Sequence, residues 1–425
     1  MNPKLTIKIK RRSQPGWLCW LIVVLPFFFG TVNDLLGLPW SIRYTLDLAW
    51  LALALLMVAF RDRLAWNHVR TLVVWSCAFL LYTALAYLFR YQNGLYYLWG
   101  LRNSFRMYVA FFAFAVFLSR QDTEDYFRLF DRIFWINAGV SLVQFFFLDK
   151  AGDQLGGIFG VETGANTYTN IFCCIILTKS VVFYLNKKEK LSVCAWKFVV
   201  AMVIAALAEL KFFFVEAVLI IALAVLFANF SWRNVLIIAG GMVGNIAGAA
   251  LLIKVIPNFE GFFSLEWMWK NAISNKGYTS SGDMNRLNAI AVINDNFLRT
   301  PGARLLGMGL GNCETSGFRF LNTPFFEAYG YLHYSWLSYA FLYLECGWTG
   351  LVFYFGFFVL AYFKIREIEK RGDPEVKQVC RVARIMAVMC MVISVYNSSL
   401  RTEAGYMAYF VMAVPFAVSG RENRF

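Results

Sequence analysis

Long apolar runs separated by short charged stretches set the pattern of this chain. A helix that crosses a bilayer needs about 20 mostly apolar residues. Runs of that kind lie near 17–32, 44–60, 70–89, 101–119, 128–148, 167–185, 195–210, 212–229, 233–256, 347–364, 381–399 and 403–419, which makes twelve. A shorter run, 333–346, carries His333, Ser335, Ser338 and Glu345 and reads as a helix lying at the membrane interface. The expected fold is therefore all-α: a polytopic integral membrane protein of about 12 transmembrane helices in one domain, 1–425. One large loop, 257–346, is inserted between spans nine and ten and contains amphipathic helices.

Composition agrees with this pattern. Of 425 residues, 60% are hydrophobic and 16% charged, too much apolar surface for a soluble protein to bury. The net charge of +14 raises nucleic acid as a partner. The basic residues sit in short loops between apolar runs, where they set orientation, so no nucleic acid is expected. The nine cysteines include no Cys-x-x-Cys pair, and Cys19, Cys77, Cys173, Cys174 and Cys390 lie inside apolar runs. They read as small core residues, not staples or metal ligands. The basic stretch KLTIKIKRR before WLCWLIVVLPFFFG resembles a signal peptide, but no small-x-small cleavage site follows, so it reads as a first membrane helix.

Lysine and arginine give the orientation. The basic N-terminal tail is expected in the cytoplasm, and with twelve spans RDRLAWNHVR, RQDTEDYFR, NKKEK and KIREIEKRGDPEVKQVCR fall on the same side, with both termini. The loop DKAGDQLGGIFGVETG and the large loop then face outward, making the large loop extracytoplasmic.

The large loop holds most of the candidate chemistry. Ser280 to Asp283 form a helix start with Asp283 as cap, followed by Leu287, Ile290, Ala291, Phe297 and Leu298 at helical spacing. Asn285, Asn288, Asn296 and Arg299 fall toward the other side, and Thr300, Pro301 and Gly302 end the helix. Arg286, in its first turn, is either a snorkelling arginine or a substrate ligand. The glycines of LLGMGLGNCE have no βαβ unit around them, so they signal a tight turn with close backbone approach and not a nucleotide site. His333 lacks partners at metal spacing, so no metal is expected; it is either structural or a general base. Ser335, Ser338 and Glu345 either line a polar face or solvate an interfacial helix.

Further cations stand at the outer ends of spans. Glu209 and Lys211 occupy the very short turn of AELKFFFVEA, where the cost of burying charge in lipid is largely avoided. Arg102 and Arg106 start the fourth span, and Arg401 lies in the last outer turn. Arg102, Lys211, Arg286 and Arg401 either ring one outward cavity for a phosphate-bearing lipid or meet ordinary lipid phosphates.

In order and spacing, these residues resemble the bacterial O-antigen ligase and polysaccharide polymerase family of the Wzy and WaaL type. The resemblance rests on Arg286, on Gly307-Met-Gly309-Leu-Gly311-Asn312, on His333, and on Leu342, Glu345, Gly347, Gly350 and Leu351. GIFGVETGANTYTN and AELKFFFVEA match the family's Gly-rich approach to the sixth span and its outer hairpin. Two departures stand out: Tyr334 follows the histidine where asparagine is usual, and Lys211 stands where arginine is more usual, which weakens any bidentate phosphate contact.

The resemblance implies a metal-independent, cofactor-free, inverting glycosyltransferase at the outer face of the bacterial cytoplasmic membrane. Its donor is an undecaprenyl-diphosphate-linked oligosaccharide, and its other partners are membrane lipid and further polysaccharide-assembly membrane proteins. Arg286 and His333 are the implied catalytic residues; Lys211, Arg102, Arg401 and Glu345 are the implied substrate-binding ones. Tyr331, Tyr334 and Trp336 are candidates to stack on sugar. Polymerisation of repeat units is the first reading and ligation of the same donor to another acceptor the second. A non-enzymatic polysaccharide transporter is the third; it would show half-chain symmetry or broken helices at midplane, and neither is evident.

Overall fold

A computed structural model describes residues 13–38, 40–60, 67–90, 93–228, 240, 241, 243, 244, 278, 279 and 282–419. The ninth expected span, 233–256, falls outside them apart from 240, 241, 243 and 244, as do the basic tail 1–12, Ser280 and Ser281.

The described chain is helical. Its helices are α1 (Gln14–Val24), α2 (Pro26–Leu36), α3 (Thr45–Ala59), α4 (Asn67–Arg90), α5 (Gly94–Phe117), α6 (Arg120–Phe147), α7 (Asn166–Leu185), α8 (Leu191–Leu207), α9 (Phe213–Phe227), α10 (Ala289–Asn296), α11 (Pro301–Leu306), α12 (Pro324–Tyr329), α13 (Ser338–Arg371), α14 (Pro374–Tyr396) and α15 (Gly405–Ser419). Every other expected apolar run meets a helix. Among the described residues, five helices are long and apolar enough to cross a membrane, or six if α1 and α2, bent by 52°, form one span. Pro26 begins α2 at that bend; its ring cannot continue the preceding helix. Helices α8, α9 and α15 are apolar but shorter.

Burial explains the arrangement. Helix α15 is buried along nearly its whole length and packs against α5 and α14; α14 packs in turn along α13. Helix α7 is also mostly enclosed. Helices α3 and α4 lie outside them and expose apolar side chains: Leu48, Leu51, Leu55 and Val58 on α3, Leu81, Leu85 and Leu88 on α4. A wide apolar outer surface is unfavourable in water and suits contact with lipid.

Three local expectations are corrected. The run 333–346 is not an interfacial helix. From Ser338 to Gly347 it is buried, and it continues into the tenth run as one 34-residue helix, α13, broken only at Gly347 (φ 61°, ψ −164°). The Leu305 carbonyl presses on that break: a Cβ at Gly347 would come within 2.4 Å of it. Second, Asp283 caps no helix. Met284 donates its backbone N–H to the Leu332 carbonyl at 2.9 Å, and the helix α10 starts only at Ala289. Asn285, expected on the polar side, is buried. Third, Thr300 and Pro301 start a helix: the Thr300 hydroxyl accepts from Ala303 N–H at 3.2 Å, with proline at the first turn of α11.

The glycine turn behaves as expected. Gly307 and Gly311 have φ of 74° and 90°, and an added Cβ would lie 2.3 Å from the Glu345 carbonyl at the first and 2.0 Å from the Tyr96 carbonyl at the second. Met308 and Gly309 donate their N–H groups to the carbonyls of Leu344 and Glu345. The turn is thereby sewn onto α13 beside its break.

Candidate functional site

A cavity of about 450 Å³ opens where the C-terminal end of α14 meets the N-terminal end of α7. One wall is the stretch from Glu162 to Tyr168, which leads into α7 and belongs to the Gly-rich segment noted in the sequence. Asn166, the first residue of α7, donates its amide to Asp153 Oδ1 at 2.8 Å and to the Ala208 carbonyl at 3.1 Å, fixing the wall to the turn after α8. The opposite wall is Tyr396 to Ser398, at the end of α14. Arg286, Arg43, Asp153, Phe159, Trp336 and Thr402 complete the lining, so its two arginines face two carboxylates, Asp153 and Glu162.

Arg286 is held in place by the end of α14. Its Nε donates to the Tyr396 carbonyl at 3.2 Å, and its guanidinium lies 4.7 Å from the centre of the Tyr396 ring. The same ring stacks on Phe212 at 4.4 Å and 15°, beside Lys211 in the turn between α8 and α9. Burial lowers the Lys211 pKa below the ordinary lysine value; Glu209 acts to raise it, and the nearby Arg286 charge lowers it further. Through the stacked Phe212 and Tyr396 rings, Lys211 and Arg286, 75 positions apart in sequence, are brought into one neighbourhood.

His333 stands beside this group. It adopts a left-handed backbone (φ 51°, ψ 29°) between two short 3₁₀ turns, Gly330–Leu332 and Tyr334–Trp336. Its ring stacks on Trp336 with centroids 3.8 Å apart, and Trp336 lines the cavity. His333 Nδ1 lies 2.5 Å from Asp283 Oδ1. A carboxylate on Nδ1 fixes that nitrogen as the protonated one and leaves Nε2 as the basic one.

Of the candidate catalytic and binding residues only Arg286 lines the cavity itself; Lys211 and His333 are its neighbours, and the remaining three sit elsewhere. Arg102 is bound through two nitrogens by Asp47, at 3.1 and 2.8 Å, and packs over Tyr44 and Trp99. Arg401 pairs with Glu314 at 2.8 Å and lies on the face of Phe341. Glu345 is fully buried, its Oε1 accepting from Cys313 N–H at 2.9 Å under the glycine turn. Arg102 and Arg401 hold neighbouring segments together through these ion pairs, whereas Glu345 has the Cys313 N–H on one oxygen and, among the described residues, no partner on the other. Tyr334 is buried too, its hydroxyl donating to the Cys313 carbonyl, so of the expected sugar-stacking aromatics only Trp336 lines the cavity. The sequence thus places Arg286, Lys211 and His333 in one region and distributes Arg102, Arg401 and Glu345 into the packing around it.

Sequence reasoning missed Arg43, Asp153, Tyr396 and the role of Asp283. Arg43 offered a signal of the expected kind, a cation just before an apolar run, as at Arg102. Behind Arg43 lies a buried network: Arg106 donates to Glu403 Oε1 at 2.7 Å, and the Tyr168 hydroxyl donates to Glu403 Oε2 at 2.8 Å. This accounts for Arg106, the basic residue at the start of the fourth run, as the partner of a buried carboxylate.

Among the described residues no group of three or more His, Cys, Asp or Glu side chains is placed to hold a metal ion. No protein-family model matches this chain, and no curated protein matches it in sequence.

Proposed function

We propose that this chain polymerises lipid-linked oligosaccharide repeat units, with the cavity between α7 and α14 as the site for the donor diphosphate. The observation that carries this reading is that Arg286 and Arg43 line one cavity, with Lys211 next to the Phe212 ring that packs on the Tyr396 holding Arg286, and with His333 of the Asp283–His333 pair stacked on the lining residue Trp336. The resemblance of the 286–351 stretch to the O-antigen polymerase and ligase family supports it. The proposal places twelve spans in a bacterial cytoplasmic membrane, both termini in the cytoplasm and the cavity on the outer face.

In the proposed reaction an acceptor sugar hydroxyl attacks the anomeric carbon of the donor from the side opposite its diphosphate. The carbon–oxygen bond to diphosphate breaks as the new glycosidic bond forms, inverting the centre. His333 Nε2 takes the hydroxyl proton, with Asp283 stabilising the imidazolium. Arg286, Arg43 and Lys211 meet the charge that grows on the departing diphosphate. Diphosphate is a good leaving group, so no metal is required by this scheme. Trp336 offers a flat face to a sugar ring beside the histidine.

The test is incubation of the purified chain with a polyprenyl-diphosphate-linked repeat unit as the sole substrate. A ladder of products is expected. Transfer only after a second acceptor is added would assign ligation instead, and no transfer with either would sink the glycosyltransferase reading.

A further inference from the structure

A second cavity lies at the other end of the same helices. It holds about 340 Å³ and is lined by residues from the start of α6, the end of α7, the start of α14 and the end of α15. The first cavity meets α7 at Asn166 and α14 at Tyr396; the second meets α7 at Lys179 and Phe183, and α14 at Glu375 and Gln378. Along α7 and α14 the lining residues of the two openings are separated by about 20–30 Å at 1.5 Å per residue, somewhat less than one hydrocarbon thickness.

The lining combines charge with apolar wall. Arg120, Arg128, Lys179 and Lys188 line it with Glu124 and Glu375. Arg120 pairs with Asp373 and Glu375, Arg128 with Glu124 and Asp125, and Lys188 with Glu375. Unlike the enclosed pairs of Arg102 and Arg401, these lie in water, where such pairs are weak and a phosphate can compete for the cation. Lys179 is almost fully buried and anchored from the protein side by Asp131, which also holds Lys197 at 2.8 Å. Phe127, Phe183, Val379 and Val418 supply the apolar part. Gln378 is 5% exposed, and its amide Nε2 is buried at the cavity with no hydrogen-bond partner among the described residues. Leaving a buried amide donor without a partner is unfavourable, so a donor held in that state offers a place for an acceptor.

We propose that this second cavity binds a phosphate-bearing headgroup, with the Gln378 amide and Lys179 reaching the phosphate, Arg128 and Lys188 at its rim, and the phenylalanines against the first carbons of an attached chain. The geometry points to an anionic lipid of the leaflet opposite the first cavity. This inference rests on the second cavity alone and survives failure of the glycosyl-transfer reading.

The purified full-length chain, in a neutral detergent, is titrated with three probes: short-chain phosphatidylglycerol, short-chain phosphatidylcholine and inorganic phosphate. Binding is read by thermal unfolding and by lipid retained in native mass spectrometry. The anionic lipid is expected to bind more tightly than the zwitterionic one. Arg128→Gln and Lys188→Gln each weaken it about fivefold, the equivalent of about 1 kcal/mol per cation near an anionic headgroup. Gln378→Leu weakens it as well, with unliganded unfolding temperature and elution volume checking that this variant is folded. Inorganic phosphate binding that is lost in the same variants would support the phosphate site and assign its source to soluble phosphate. Equal binding of both lipids with no phosphate binding, or folded variants that bind like the wild type, would overturn the proposal.

Discussion

At the scale of single residues, the Asp283–His333 contact is where the proposed general base can be told from a structural histidine. The ring is held by Trp336 on its face and by Asp283 on Nδ1, an arrangement that serves either role. We expect Asp283→Asn to lower kcat with little change in KM, because asparagine keeps the shape and loses the charge that stabilises imidazolium. His333→Ala should cost about 10²–10⁴-fold, the range for a positioned general base. Steady-state kinetics on equal amounts of inserted protein decide: an Asp283→Asn enzyme with unchanged kcat would make the pair structural. Lys211 gives a second prediction at this scale. Its pKa is lowered chiefly by burial, so it loses its proton at a lower pH than an ordinary lysine does. If its charge holds phosphate, kcat/KM must fall on the alkaline side below that ordinary value, and Lys211→Arg must move the fall to higher pH, since arginine stays protonated. An alkaline limb identical in both proteins would remove Lys211 from the site.

At the scale of elements, the glycine turn and the break in α13 act as one joint. The turn contributes backbone N–H groups to the carbonyls of Leu344 and Glu345, and Gly347 yields where the Leu305 carbonyl approaches. This joint sets the direction in which α13 leaves the segment that carries His333. Gly311→Ala would put a methyl group 2.0 Å from the Tyr96 carbonyl, with φ at 90°, so strain arises twice. We expect it to lower the thermal unfolding midpoint clearly and to reduce activity in proportion to folded protein. Gly302→Ala serves as the control, since an added Cβ there meets nothing within 4 Å. Equal midpoints for the two variants would contradict the role given to the turn.

At the scale of the whole molecule, the helical architecture was largely legible in the sequence because hydrophobic runs of the right length announce helices directly. The close approach at Gly307 and Gly311 was legible for the same local reason, since glycines repeated at short spacing permit it. What escaped was whatever depends on which ends meet. Arg102 and Arg286 are both cations near apolar runs, and nothing local distinguishes the one that finds Asp47 from the one that reaches a cavity. Asp283 reads as a helix cap until the Met284–Leu332 hydrogen bond places it beside His333. Likewise, a polar pattern of Ser335, Ser338 and Glu345 signals an exposed face only if the helix lies on a surface, and α13 begins in the interior.

If the proposal holds, a lipid diphosphate is received by this cavity and not by the Asp47-bound Arg102, which does not line it. Binding of a short-chain isoprenyl diphosphate to the purified protein tests it most directly, comparing wild type with Arg286→Gln and Arg102→Gln. The account predicts that Arg286→Gln weakens binding about tenfold or more, consistent with loss of about 1.5–3 kcal/mol from a charge-assisted hydrogen bond, while Arg102→Gln leaves it nearly unchanged. Undiminished binding by Arg286→Gln, or an equal loss in both variants, would contradict it.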